Sequence, residues 1–437
     1  MDKFVVEGGH VLEGPLHVSG SKNTALPLMA AALMAEGTTT ITNVPVLRDI
    51  STFSQVMRVC GAEIDVDKEA HTLKIDGSNI TTYEAPYELV KKMRASFYML
   101  GALLGRFGEA RVSLPGGCAW GPRPVDLHLK GMRELGAELD LNEGYVEAHA
   151  PNGRLQGGSF RFEPSSVGAT INVVLAAVLA DGTTRLENAA VEPDVVVFTR
   201  ALEKMGAKIQ GIGTRTLTIE GVDRLEPSTV ENSPDRIELG TFMILAALVG
   251  SPDTPVTITG GNTGHLGQIF MDAFRETGAQ VADDGRRVRV APPDTIQPVS
   301  IETDVYPGFP TDLQAQWTVL MTQADGNSSV TDTIYHDRFK HVPELQRMGA
   351  DIEVKENIAQ IEGHTQLKGA QVMSTDLRAS VSLVMAGTVA RGTTDVLRVY
   401  HLDRGYENLE QKLQAAGLSV HREPYDEFKQ PVPHIVK

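Results

Sequence analysis

Two kinds of apolar segment alternate along the chain. In Leu409 to Ala416 and Val342 to Met348, apolar residues recur at three- and four-residue spacing ahead of a glycine, which predicts amphipathic helices with left-handed caps. In Ala25 to Ala35, Ile171 to Ala180 and Arg378 to Ala390 they run nearly all round, as in helices buried on every side. Each of these is followed by Gly-Thr-Thr, at Gly37, Gly182 and Gly392, a turn that leads into a β-branched strand.

The phrase repeats. Gly-Ala-x-aliphatic occurs at Gly61-Ala62-Glu63-Ile64, Gly136-Ala137-Glu138-Leu139, Gly206-Ala207-Lys208-Ile209, Gly278-Ala279-Gln280-Val281 and Gly349-Ala350-Asp351-Ile352, with a weaker sixth copy at Gly417-Leu418-Ser419-Val420. Successive glycines lie 75, 70, 72, 71 and 68 residues apart. That period exceeds common solenoid repeats, so each copy is a small α/β module. Buried helices with many short strands predict an α/β fold with helices inside walls of sheet, three modules in each of two domains. The polar, proline-bounded stretch from Glu226 to Pro234 marks the joint. One lobe is then 22–234, the other 1–21 plus 235–437, with hinges near 18–22 and 226–235. Residues before 22 are expected to pair with the last module, and the proline-bearing tail from His421 to Lys437 reads as a loosely held extension.

Charge narrows the function. The 437 residues carry a formal net charge of −16, which disfavours a surface for nucleic acid or anionic membrane. Any anion must be met by local cations. The two cysteines, Cys60 and Cys118, make neither a disulfide framework nor a zinc pattern, and the histidines are scattered, so neither metal nor organic cofactor is expected. The opening residues lack the organisation of a secretory signal, and no apolar run reaches the roughly 20 residues of a membrane span. A cytoplasmic enzyme is the expectation.

The predicted buried helices begin with residues suited to an anion: Ser21-Lys22-Asn23, Arg94-Ala95-Ser96, Ser166-Val167-Gly168, Thr311-Asp312 and Asp376-Leu377-Arg378. Helix N-termini already favour negative charge, and a lysine or arginine there adds charge-assisted hydrogen bonds. An aspartate such as Asp312 equally suits a helix cap. Between Leu114 and His128 runs a loop rich in glycine and proline that carries Cys118 and Arg123, the composition of a mobile lid. Nearby arginine charge would draw the Cys118 thiol towards its reactive form, whereas Cys60, inside an amphipathic helix, reads as inert packing.

Nine phrases, in order, resemble the enolpyruvyl transferase family over nearly the whole chain: SGSKNTALPLMAAAL, MRAS, LPGGC with RPVDLH, SVGAT, PDRIE with GTF, FPTDLQAQ, RFKHVPELQRMGA, TDLRAS and YHLDRGYE. The resemblance implies a two-domain inside-out α/β barrel with three βαβαββ-like repeats per domain and a catalytic lid at 114–124. It implies transfer of enolpyruvyl from phosphoenolpyruvate to the 3-hydroxyl of UDP-N-acetylglucosamine, by addition and then elimination of phosphate. By the same resemblance Lys22, Arg123 and Arg404 hold the phosphate, Arg378 and Arg404 the carboxylate, and Asn23 stabilises the intermediate. Cys118 protonates C3 and is the target of the epoxide fosfomycin, while Asp312 takes the hydroxyl proton. The nucleotide sugar is expected against Asn23, Arg94, Arg123, Pro124, Val125, Asp126, Leu127, Ser166, Val167, Gly168, Asp312 and Ile334, and Arg338 and His341 fall in a matching phrase. The pathway implied is peptidoglycan synthesis, with the two substrates as the small-molecule partners.

The sequence departs from the pattern at Pro164, where family members commonly carry a lysine for the nucleotide's phosphates; Arg161 is the nearest substitute. Tyr98 replaces a frequent tryptophan and Ala119-Trp120 makes the lid bulkier. An acceptor built on another uridine nucleotide and a catalytically silent nucleotide-sugar-binding paralogue are the rival readings.

Overall fold

A computed structural model of the protein describes residues 1–91, 93–114 and 125–426, with the backbone alone at Arg94. Most of the expected lid, including Cys118, Arg123 and Pro124, lies outside the described residues. The chain divides into two compact units. One comprises Ser19–Asp235 with Val305–Pro307, and the other Met1–Val18, Arg236–Asp304 and Gly308–Lys437. They are called here the Lys22 unit and the Asp312 unit.

The module is plainest at the third copy. Strand Ser159–Arg161, helix Val167–Ala177, strand Thr183–Glu187, helix Pro193–Lys204 and strands Lys208–Gln210 and Thr216–Glu220 follow in the order βαβαββ. The first strand lies parallel to the second, with Phe160 opposite Leu186, and the last lies antiparallel to both its neighbours. Alternation buries Leu186, Ile209, Leu217 and Ile219 against the helices. The outer helix ends at Gly206, whose φ of 103° is open to glycine at little cost, and the five sister glycines share this left-handed turn.

Among the described residues six four-stranded sheets result, three in each unit. Two borrow an edge strand from distant sequence. Thr229–Glu231 lies parallel to Thr38–Thr42, and Leu16–His17 lies parallel to Val256–Thr259. The stretch expected to be a linker is thus partly an edge strand, and the chain passes between units at its far end, from Asp235 to Arg236. Beside that passage Ser21 N–H donates to the Ser233 carbonyl at 2.7 Å and Asp235 N–H to that of Ser19 at 2.8 Å. In the sixth sheet Asp2–Glu7 inserts between Thr393–Leu397 and Ser419–Pro424, antiparallel to both. This corrects the reading of the tail at its start, residues 427–437 lying outside the described ones. His421 to Pro424 are sheet residues because the N-terminal strand needs an edge partner, and Tyr425 N–H continues the pairing to the Met1 carbonyl at 2.6 Å.

The interior helices are Lys22–Ala32, Tyr98–Phe107 and Val167–Ala177 in one unit, and Arg236–Val249, Gln314–Thr322 and Leu377–Val389 in the other. Several begin earlier and end sooner than the apolar runs, because caps set their starts. Close packing demands small residues. A β-carbon on Gly101 would sit 2.2 Å from the Asn172 carbonyl oxygen, so glycine lets Tyr98–Phe107 lie directly against Val167–Ala177. The Asn172 side chain then accepts from Gly101 N–H at 2.8 Å and donates to the Phe97 carbonyl at 3.0 Å. In the other unit Trp317 is fully buried among Phe270 and Phe309, its indole N–H on the Val299 carbonyl at 3.1 Å. Among the described residues no helix is long and apolar enough to cross a membrane.

Candidate active site

In the Lys22 unit the site begins with a cap. The Ser21 hydroxyl accepts from Thr24 N–H at 3.2 Å, which starts the helix at Lys22 and sets Lys22 and Asn23 at its positive end. The buried Asp194 carboxylate fixes that cap, accepting from the Ser21 hydroxyl at 3.0 Å and the Thr24 hydroxyl at 2.7 Å. Pro27 brings no N–H for the Asn23 carbonyl four residues back. Lys22 Nζ meets Asp49 Oδ2 at 3.2 Å, and both side chains are largely buried, at 13% and 6% exposure. A buried ammonium needs such a counter-ion.

The nucleotide-binding candidates of this unit occupy two further helix starts. Ser166 caps Val167–Ala177 by accepting from Ala169 N–H at 3.3 Å, leaving the first amides of the turn, at Val167 and Gly168, without an intrahelical acceptor. Val125 precedes helix Asp126–Glu134, where the exposed Asp126 pairs with Lys130 at 3.2 Å and Leu127 is half-buried. Arg94 opens the tight turn Arg94–Phe97. Arg161 Nε lies 2.8 Å from Glu163 Oε1 and its guanidinium 3.7 Å from Glu187, so the candidate substitute for a lysine at Pro164 is already engaged by two acids.

In the Asp312 unit the structure brings a constellation together. Asp312 sits in the turn Thr311–Leu313, but its carboxylate does not cap the following helix. It pairs instead with Arg338 Nη2 at 2.5 Å and Arg378 Nη2 at 3.3 Å. Arg338 also donates to the Thr311 hydroxyl at 2.9 Å, and that hydroxyl donates to Asp332 at 2.7 Å. Asp332 in turn accepts from Ile334 N–H at 3.0 Å, which holds the Ile334 backbone beside the cluster. Arg378 starts helix Leu377–Val389 because Asp376 caps it, accepting from the 378 and 379 amides at 2.9 and 3.1 Å. Asp376 thus sets where Arg378 stands through the backbone, as the N-cap of its helix.

The charges decide the protonation. Burial pushes the Asp312 carboxyl up, but the positive charges of Arg378 and Arg338 outweigh it and hold the group well below the usual carboxylate range. With 28% of its side chain exposed, against 12% and 8% for the two arginines, Asp312 is the member of the cluster that a solute meets. His341 is no surface residue. It is 1% exposed, and burial, helped by the charge of Arg338, pushes its imidazole down to about 3, so it is neutral. Arg404 ends the turn Val399–Arg404, half-buried, its charge helping burial to lower His401. Cys60 is fully buried, its thiol directed at the Glu84 carbonyl at 3.6 Å and pushed by burial up to about 12. Among the described residues no group of three or more His, Cys, Asp or Glu could hold a metal ion.

Sequence reading missed several partners. Asp49 and Asp194 lie in the first turns of their helices, and Tyr406, Thr241 and Gln316 fall inside the phrases YHLDRGYE, GTF and FPTDLQAQ with no role assigned to them, although all of them contact site residues or their neighbours. For the two acids only burial against the helical period offers a hint, and it cannot separate a buried acid from an exposed one at a helix start.

Known proteins match nearly the whole chain. The family described as EPSP synthase (3-phosphoshikimate 1-carboxyvinyltransferase) matches residues 6–413. The UDP-N-acetylglucosamine 1-carboxyvinyltransferase of Chloroherpeton thalassium is 54% identical over 432 residues, covering 99% of either chain. That of Chlorobaculum parvum is 52% identical over 429 residues, 98% of this chain and 100% of the other. Among solved structures, the enolpyruvyl transferase NikO from Streptomyces tendae superimposes with a TM-score of 0.87 at 26% identity, over 96% of this chain and 98% of that one. The two-domain α/β fold is shared with it.

Proposed function

This chain belongs to the EPSP synthase family of carboxyvinyltransferases, and from that premise we propose that it transfers enolpyruvyl from phosphoenolpyruvate to the 3-hydroxyl of UDP-N-acetylglucosamine. The observation that carries this reading is the 54% identity, end to end, with a relative of that name. The acceptor oxygen bonds to C2 as C3 takes a proton; then C3 loses a proton and the C2–oxygen bond to phosphate breaks, releasing phosphate. Such chemistry needs a base, an acid and cations around two anionic groups.

The residues fit these roles. Lys22, Arg123 and Arg404 are assigned the phosphate, Arg378 and Arg404 the carboxylate, and Asn23 the intermediate. Cys118 is the acid at C3. Asp312 is the base, and its surroundings explain how it is restrained. A carboxylate facing two arginines is a feeble base, and a substrate carboxylate drawn to Arg378 offsets part of that charge and raises its basicity when both reactants are present. The nucleotide is assigned to Arg94, Pro124, Val125, Asp126, Leu127, Ser166, Val167, Gly168 and Ile334; the amides of Val167 and Gly168, in the first turn of their helix, suit phosphate oxygens. We assign the reaction to cytoplasmic peptidoglycan synthesis, hence to cell shape and division, without metal or organic cofactor.

A second acceptor is favoured by one observation: Pro164 brings neither charge nor N–H, and Arg161 is held by Glu163 and Glu187. The deciding experiment measures phosphate release from phosphoenolpyruvate with a panel of acceptors. Sustained release with UDP-N-acetylglucosamine is expected. Release only with another uridine nucleotide replaces the acceptor, and binding of the nucleotide sugar without release makes the chain a silent paralogue.

Fosfomycin should alkylate Cys118 and spare Cys60, because a thiol pushed up to about 12 by burial holds almost no thiolate at neutral pH. Peptide mass spectrometry after labelling checks this. An adduct mapped to Cys60, or undiminished labelling of Cys118→Ala, overturns the assignment.

A further inference from the structure

The Arg378 guanidinium is tethered at two nitrogens. Nη2 pairs with Asp312 at 3.3 Å, and Nη1 donates to the Tyr406 hydroxyl at 3.3 Å. Tyr406 is 2% exposed and its hydroxyl also lies 2.8 Å from the Thr241 hydroxyl and 3.3 Å from Gln316 Nε2. The polarity of this buried group follows from what each atom can do. The Ile237 carbonyl only accepts, so the Thr241 proton points to it, at 2.8 Å. The Asp312 carbonyl only accepts, so the nitrogen of the Gln316 amide faces this side, at 3.1 Å. Thr241 is thereby an acceptor towards Tyr406, whose proton goes to it; the second Gln316 N–H is shared between the Thr241 oxygen at 3.0 Å and the Tyr406 oxygen at 3.3 Å, and a lone pair of the Tyr406 oxygen is turned to Arg378.

We propose that Tyr406 is a positioning residue for the substrate carboxylate: its hydroxyl, oriented through Thr241 and Gln316, fixes the plane of the Arg378 guanidinium. Carboxylate recognition by arginine depends on that plane, since two parallel N–H groups must meet two oxygens at once. The tether at Asp312 holds one nitrogen and so fixes a point of the group, not its plane. The second, reaching back to helices Arg236–Val249 and Gln314–Thr322, restrains that plane from the other nitrogen. The inference rests on the assignment of Arg378 to the carboxylate of phosphoenolpyruvate.

Tyr406→Phe keeps the ring, whose centre lies 5.8 Å from the Arg378 guanidinium carbon, and removes only the tether. The KM for phosphoenolpyruvate should rise about tenfold, as for loss of a hydrogen bond to a charged group, with the KM for UDP-N-acetylglucosamine within about twofold of wild type. Thr241→Val, which abolishes the acceptor that orients Tyr406, should shift the same constant in the same direction by a smaller factor, and Thr241→Ser by less again. A role in packing alone would lower the melting temperature and leave the two KM values in their original ratio. That result in both Tyr406→Phe and Thr241→Val overturns the inference while wild-type turnover stands. A wild-type enzyme that releases no phosphate with any acceptor overturns the enolpyruvyl reading, and this inference with it.

Discussion

Asp312→Asn is expected to lower kcat about a thousandfold, the span of a lost general base, while the protein still binds the nucleotide sugar. The amide keeps the shape that Arg338 and Arg378 surround but carries no charge and takes no proton. The pH dependence carries the sign. In the free enzyme the arginines hold Asp312 below the usual carboxylate range, so it is ionised, hence competent, and kcat/KM should show no acid loss from this group between about pH 8 and about pH 5. If substrate offsets the charge of Arg378, the acid limb of kcat lies at higher pH than that of kcat/KM. Steady-state rates across pH test both statements. Wild-type turnover in Asp312→Asn would remove the residue from the reaction.

Lys22→Met should cost two to three powers of ten in turnover, roughly the loss seen when one group that stabilises developing charge is removed. The competing explanation is that Lys22 only neutralises Asp49, its partner at 3.2 Å. A double variant separates them. Lys22→Met alone leaves a buried carboxylate without its ammonium, which costs stability, and Asp49→Asn added to it removes that burden. If Lys22 holds phosphate, the double variant regains thermal stability and stays inactive. Recovery of turnover together with stability would show Lys22 to be a structural counter-ion.

Much of the architecture was legible before any coordinates. The glycine that closes each amphipathic helix is a local requirement, since a left-handed turn excludes most side chains, and all six glycines of the repeat have positive φ. Caps are equally local: Ser21, Ser166 and Asp376 act within three residues of themselves. Asp312 shows the limit. In sequence it is an aspartate at a helix start, and capping or catalysis read alike there, because the arginines that claim it lie 26 and 66 residues away. The first residues of the tail escaped for a similar reason. Its three prolines argue against regular structure, yet Ser419–Pro424 is held by a strand from the other end of the chain.

By itself, then, the amino-acid order determined the repeating module, the inward helices and the residue types brought to their tips, since periodicity, capping and turn geometry act over a few bonds. Tertiary structure alone decided which charges meet. Arg378 beside Asp312 and Tyr406 beside Thr241, 165 residues distant, are outcomes of packing one module on another, and Lys22 beside Asp49 of packing the two helices of one module together. Electrostatics falls off with distance through space and is indifferent to separation along the chain, so the acidity of Asp312 and the posture of Arg378 are properties of the folded unit.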